Sequence, residues 1–134
     1  MKKIEHIGIA VKDLNSANNI YSKLLNTSPY KMEKVESENV NTSFFQVGES
    51  KIELLEGTSP DSPISKFIEK RGEGVHHIAF EVDDIEKEIA RLTKEGFQMI
   101  HEKPKDGADN KLIAFLHPKS SNGVLIELCQ EKVL

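Results

Sequence analysis

The chain has 134 residues, 37% hydrophobic and 30% charged, with a net charge of −4 and one cysteine. That is enough for one soluble globular domain with a core of its own, and too little for two ordinary independent ones. The acidic balance without a Lys/Arg run argues against a nucleic-acid partner, no stretch approaches the roughly 20 apolar residues of a membrane span, and a lone cysteine makes the reducing cytoplasm the default compartment.

The Met-Lys-Lys start is followed by Glu5 and His6, so the apolar run after it is predicted to be a strand over residues 4–11 and not an export signal. Period-two alternation puts Ile7, Ile9 and Val11 on one face, expected to meet a helix, and His6, Gly8 and Ala10 on the other. Asp13 is a predicted N-cap for a helix carrying Leu14, Ala17, Tyr21, Leu24 and Leu25, closed by Asn26, which tolerates the left-handed conformation. Strands are predicted around 31–35, 40–47 and 50–55, the last two joined by a tight Gly48-Glu49 turn. Ser62-Pro63 reads as an N-cap and first-turn proline for a short helix through Ile64, Phe67 and Ile68, ending near Gly72. The same plan then returns: a strand over 75–82, a helix capped by Asp83 or Asp84 and carrying Ile85, Ile89 and Leu92 up to Gly96, and strands over 97–101, 112–117 and 123–129. The predicted fold is α+β: two tandem βαβββ modules, about 1–57 and 74–134, joined by a short helical linker over 58–73. They form one domain over 1–134, a curled mixed sheet around a metal-binding cleft.

The duplication carries the chemistry. His6-Ile-Gly-Ile-Ala-Val returns as His77-Ile-Ala-Phe-Glu-Val, and Lys51-Ile-Glu-Leu-Leu returns as Leu125-Ile-Glu-Leu-Cys. The histidines are 71 positions apart and the glutamates 74, so each module supplies one His and one Glu at matching places. Strand parity sets Glu53 opposite Ile52 and Leu54, and Glu127 opposite Ile126 and Leu128. Both carboxylates therefore share the face of the histidines, where Gly8, Ala10 and Ala79 leave room for a ligand. Two imidazoles and two carboxylates suit a divalent ion of borderline hardness such as Zn, Co, Ni, Mn or Fe, and His6, Glu53, His77 and Glu127 are the candidate ligands.

Other polar residues have plainer readings. A lone strand histidine is usually structural, and a strand glutamate usually meets solvent; only their repetition at matched positions argues otherwise. His76, His101 and His117 are expected to pack, turn or meet solvent, and Cys129 has no basic cluster to activate it. Asp13, Asp83 and Asp84 are expected to serve as helix caps, and no glycine-rich phosphate loop is present.

A duplicated βαβββ unit with the order His6, Glu53, His77, Glu127 resembles the vicinal oxygen chelate superfamily, and within it the methylmalonyl-CoA epimerase family, over essentially the whole chain. The stretches that carry the resemblance are 47–56, 62–68, Gly74-Val-His-His-Ile-Ala-Phe80 and Phe115-Leu-His-Pro-Lys119 followed by Gly123-Val-Leu-Ile-Glu127. Asn26 and Gly57 stand where family members often have glycine and proline, and Thr42 or Ser43 stands where some place a second acid. The resemblance implies one divalent ion (Co, Mn, Ni or Zn), an acyl-CoA substrate and a homodimer. It also implies epimerisation at C2 of methylmalonyl-CoA through an enolate, with Glu127 as a proton-transfer group, and the symmetry of the repeat makes Glu53 its expected partner on the opposite face. A glyoxalase I-type isomerase of a hemithioacetal uses the same ligand types, and metal-free resistance proteins of this fold bind drugs; both are alternatives to be separated by assay.

Overall fold

The computed structural model describes residues 1–132, and every structural statement below refers to them. Eight strands and three α-helices follow one another as β1 (Lys3–Ala10), α1 (Leu14–Leu25), β2 (Lys31–Val35), β3 (Val40–Val47), β4 (Ser50–Gly57), α2 (Pro63–Arg71), β5 (Gly74–Glu81), α3 (Ile85–Lys94), β6 (Lys105–Gly107), β7 (Lys111–Leu116) and β8 (Ile126–Glu131). The architecture is α+β, with the βαβββ plan present twice. Two compact units emerge: His6–His76, and Met1–Glu5 together with His77–Leu134. No helix is long and apolar enough to cross a membrane.

In the first unit the strand order is β2-β3-β4-β1, with β1 parallel to β4 and the other neighbours antiparallel. Val47 pairs with Ser50, so Gly48 and Glu49 form the two-residue turn, with Gly48 at a φ of 60°. Asp13 Oδ1 accepts from the Asn15 amide at 3.1 Å to start α1, and Asn26 ends it at a φ of 54°. Leu14 and Ala17 of α1 bury against Phe45 and Leu54, with Ile9, Val11, Tyr21 and Leu25 around them, which confirms the helix-facing parity of β1. Each large side chain so buried stabilises the unit by about 1.5–3 kcal/mol. Leu24, expected in this stripe, is exposed: at about 100° per residue it lies roughly 80° off the line through Leu14, Tyr21 and Leu25. Helix α2 begins at the Ser62 cap, whose hydroxyl accepts from the Ile64 amide at 3.2 Å, and it packs Ile64, Phe67 and Ile68 on Ala10, Val40 and Leu55.

The second unit has the order β5-β8-β7-β6, with β5 parallel to β8 and the rest antiparallel. Of the two candidate caps, Asp84 starts α3 by accepting from the Lys87 amide at 3.2 Å, while Asp83 pairs with Lys2 at 3.2 Å. Ile85, Ile89 and Leu92 pack on Val82, Ala114, Leu116 and Leu128. The strand expected over 97–101 is reduced to one bridge, Met99 to Leu116. The Ile100 amide still donates to the Phe115 carbonyl at 2.8 Å, residues 101–104 form no strand, Pro104 having no amide to donate, and the chain rejoins β7 as β6, with Lys105 opposite Ile113. The last strand is shifted too. Residues 123–125 are loop, Gly123 having a φ of 83°, and pairing runs on to Glu131.

Candidate metal centre

Each unit builds one histidine–glutamate pair by the same construction. In the parallel β1–β4 ladder Gly8 is the Cα partner of Glu53, and in the β5–β8 ladder Ala79 is the partner of Glu127. The glutamate thus lies beside a small residue two positions after the histidine, and its side chain reaches back to the imidazole. His6 Nδ1 is 3.0 Å from Glu53 Oε2, and His77 Nε2 is 3.1 Å from Glu127 Oε1. The backbone past each pair is tied identically: the Val11 amide donates to the Leu55 carbonyl and the Val82 amide to the Cys129 carbonyl, both at 2.9 Å.

The four residues are 4–5% exposed. Carboxylates so far from water need a charged or hydrogen-bonding partner, and each has an imidazole. Each pair offers one ring nitrogen and one carboxylate oxygen, donors that suit a divalent ion of borderline hardness.

Aromatic side chains extend the repetition, a feature the motif reading missed. Phe44 is the β3 partner of Glu53 and Phe115 the β7 partner of Glu127, so an aromatic residue stands in register with each carboxylate. The Phe115 ring meets His77 edge-on, with centroids 5.7 Å apart and planes at 83°, and His101 packs on the same ring at 5.9 Å. The signal was present, since Phe115 follows Phe44 by the same 71 positions as His77 follows His6. Buried Glu5, beside His6 in sequence, was also passed over. Thr42 is buried in register with Leu55 on one side and Glu33 on the other, and Glu33 is held by Lys31 at 3.0 Å. The remaining histidines are structural. His76 packs edge-on against Phe67 at 4.9 Å, and His117 Nδ1 accepts from the Lys119 amide at 3.1 Å.

The sequence profile of the Glyoxalase/Bleomycin resistance protein/Dioxygenase superfamily matches residues 5–115. The uncharacterized protein YqjC of Bacillus subtilis is 42% identical, over 98% of this chain and 94% of its own length. The ethylmalonyl-CoA/methylmalonyl-CoA epimerase of Cereibacter sphaeroides is 38% identical, over 96% and 97%. A solved structure of methylmalonyl-CoA epimerase in complex with methylmalonyl-CoA and NH4+ is similar with a TM-score of 0.95 and 34% identity, covering 99% of this chain and 96% of that one.

Proposed function

Because the chain belongs to the glyoxalase/bleomycin resistance protein/dioxygenase superfamily, we propose that it is a metal-dependent epimerase acting at C2 of methylmalonyl-CoA, working as a single vicinal oxygen chelate domain and as a homodimer. His6, Glu53, His77 and Glu127 would hold one divalent ion whose identity lies among Co, Mn, Ni and Zn. The observation that carries this reading is the duplication of a buried His–Glu pair at the same strand register in both units.

When bound, the ion supplies Lewis-acid polarisation of the thioester carbonyl, which makes the C2 proton removable. The chain's own residues do the rest. Glu127 takes the proton from one face of C2 and Glu53 delivers one to the other, each acting once its hold on the ion has loosened or through a bound water, so one carboxylate enters the cycle ionised and the other protonated. After one turnover the states are exchanged, which prepares the site for the opposite epimer. His77 and His6 lie against the carboxylates and fix their positions, and Gly8 and Ala79 keep the space beside them open. Burial keeps bulk water from competing for the protonated partner.

The test is incubation of the purified protein with each epimer of methylmalonyl-CoA and, separately, with a hemithioacetal, with and without chelator. Chelator-sensitive interconversion of the epimers is expected. Product from the hemithioacetal alone would replace this reading with that of a glyoxalase-type isomerase. Sedimentation of the same protein tests the dimer.

A further inference from the structure

We propose that Glu56 and Gln130 are positioning residues for the two His–Glu pairs. Each pins the strand carrying the glutamate to the start of the helix that follows the histidine strand. The role assigned to the pairs rests on the metal-site reading above; the geometry of the pin does not.

Glu56 Oε2 accepts from the Leu14 amide at 2.9 Å, and Gln130 Oε1 accepts from the Ile85 amide at 2.8 Å. Leu14 and Ile85 are the first residues of α1 and α3, and the two acceptors each lie three positions after Glu53 or Glu127. An offset of three on a strand reverses the face, so the glutamate turns to its histidine while the acceptor turns to the helix. These bonds do not duplicate the ordinary caps. Asp13 takes the Asn15 amide and Asp84 the Lys87 amide, leaving the first helical amide for the strand acceptor.

A parallel ladder alone specifies register poorly, because its backbone bonds repeat every two residues. A slip of one residue between β1 and β4 would turn Glu53 to the helix side. A slip of two would keep the face but carry Glu53 about 6.6 Å along β1, out of reach of His6. The side-chain acceptor does not repeat. In either slipped register Glu56 leaves the Leu14 amide, so the bond selects the one register in which His6 and Glu53 meet. The second unit does the same with a neutral amide. A hydrogen-bond acceptor, and not a charge, is therefore what the position requires.

The experiment compares Glu56→Ala, Glu56→Met, Glu56→Gln and Gln130→Ala with the unaltered protein. The readouts are cobalt(II) affinity and, in metal-free protein at fixed pH, the ring nitrogen-15 shifts of His6 and His77, which report their bonds to the glutamates. Loss of the acceptor is expected to weaken cobalt binding about 10- to 100-fold, the scale of groups that orient metal ligands. Glu56→Ala should displace the His6 resonances and spare those of His77, Gln130→Ala should do the converse, and Glu56→Gln should restore both readouts. Glu56→Met keeps the side-chain bulk without the acceptor and answers the same question if the alanine protein does not fold. Unchanged His6 resonances and cobalt affinity in a folded Ala or Met protein, even with a lower melting temperature, would overturn the proposal and leave only a helix cap. If the unaltered protein fails to bind cobalt, the metal reading falls while the metal-free resonances still decide the positioning role.

Discussion

His77 Nε2 lies 3.1 Å from Glu127 Oε1, both groups buried. Removing the imidazole takes a polar partner from a buried carboxylate. His77→Ala is therefore expected to lower the unfolding free energy of the metal-free protein by about 1–3 kcal/mol and to lose the bound ion by elemental analysis. Undiminished metal content would remove His77 from the ligand set.

The two glutamates differ in test, not in chemistry. Glutamine keeps a ligating oxygen and nearly the same shape but cannot take a proton, so Glu127→Gln should retain metal and lose epimerisation by about 100-fold or more. Exchange of the C2 proton with deuterated solvent, followed for each epimer separately, should be abolished from one epimer by Glu127→Gln and from the other by Glu53→Gln. Equal, modest losses from both epimers in both variants would point away from these carboxylates, and Glu33, in register with Thr42, would be the next to substitute.

Gly57 ends β4 where a Cβ would fall on Ser65 Oγ and crowd Ser62. Ser65 has little freedom to move aside, since its hydroxyl donates to the Ser59 carbonyl at 2.7 Å. Gly57→Ala should destabilise by about 1–3 kcal/mol in a denaturant melt, the usual scale of overpacking. Gly57→Ala combined with Ser65→Gly should recover part of it. A neutral single substitution would mean that the α2 start shifts freely.

The Arg91 guanidinium, donating to Glu88 at 3.0 and 2.9 Å one turn away on α3, holds that carboxyl below its ordinary range. A lowered carboxyl pKa stabilises the fold above the ordinary carboxylate range, and the stabilisation is lost as pH falls through the folded value. Arg91 is half exposed, so solvent screening keeps the effect small. Arg91→Ala should lower stability slightly at pH 7 and by almost nothing near pH 2. A difference that persists in acid would assign the loss to the packing of the arginine stem.

Strand parity, helix caps and the Gly48-Glu49 turn were legible in the chain because each depends on neighbours a few residues away. The same period of two placed His6 and Glu53 on faces that proved to meet, and the repeat carried the assignment to His77 and Glu127. Tertiary structure decided what depends on partners distant in sequence. The register of β1 against β4 sets Gly8, and no other residue of β1, opposite Glu53. Pro104 and the single Met99–Leu116 bridge move the outer strand from 97–101 to Lys105–Gly107. Asp83, equal to Asp84 as a cap by composition, is drawn instead to Lys2 at the far end of the chain. Glu56 and Gln130 carry no signal in the chain, and only folding brings the first amides of α1 and α3 to them. Local periodicity determines which way a side chain points; only closure of the chain determines what it meets, because that is settled by contacts between segments whose separation leaves no periodic trace.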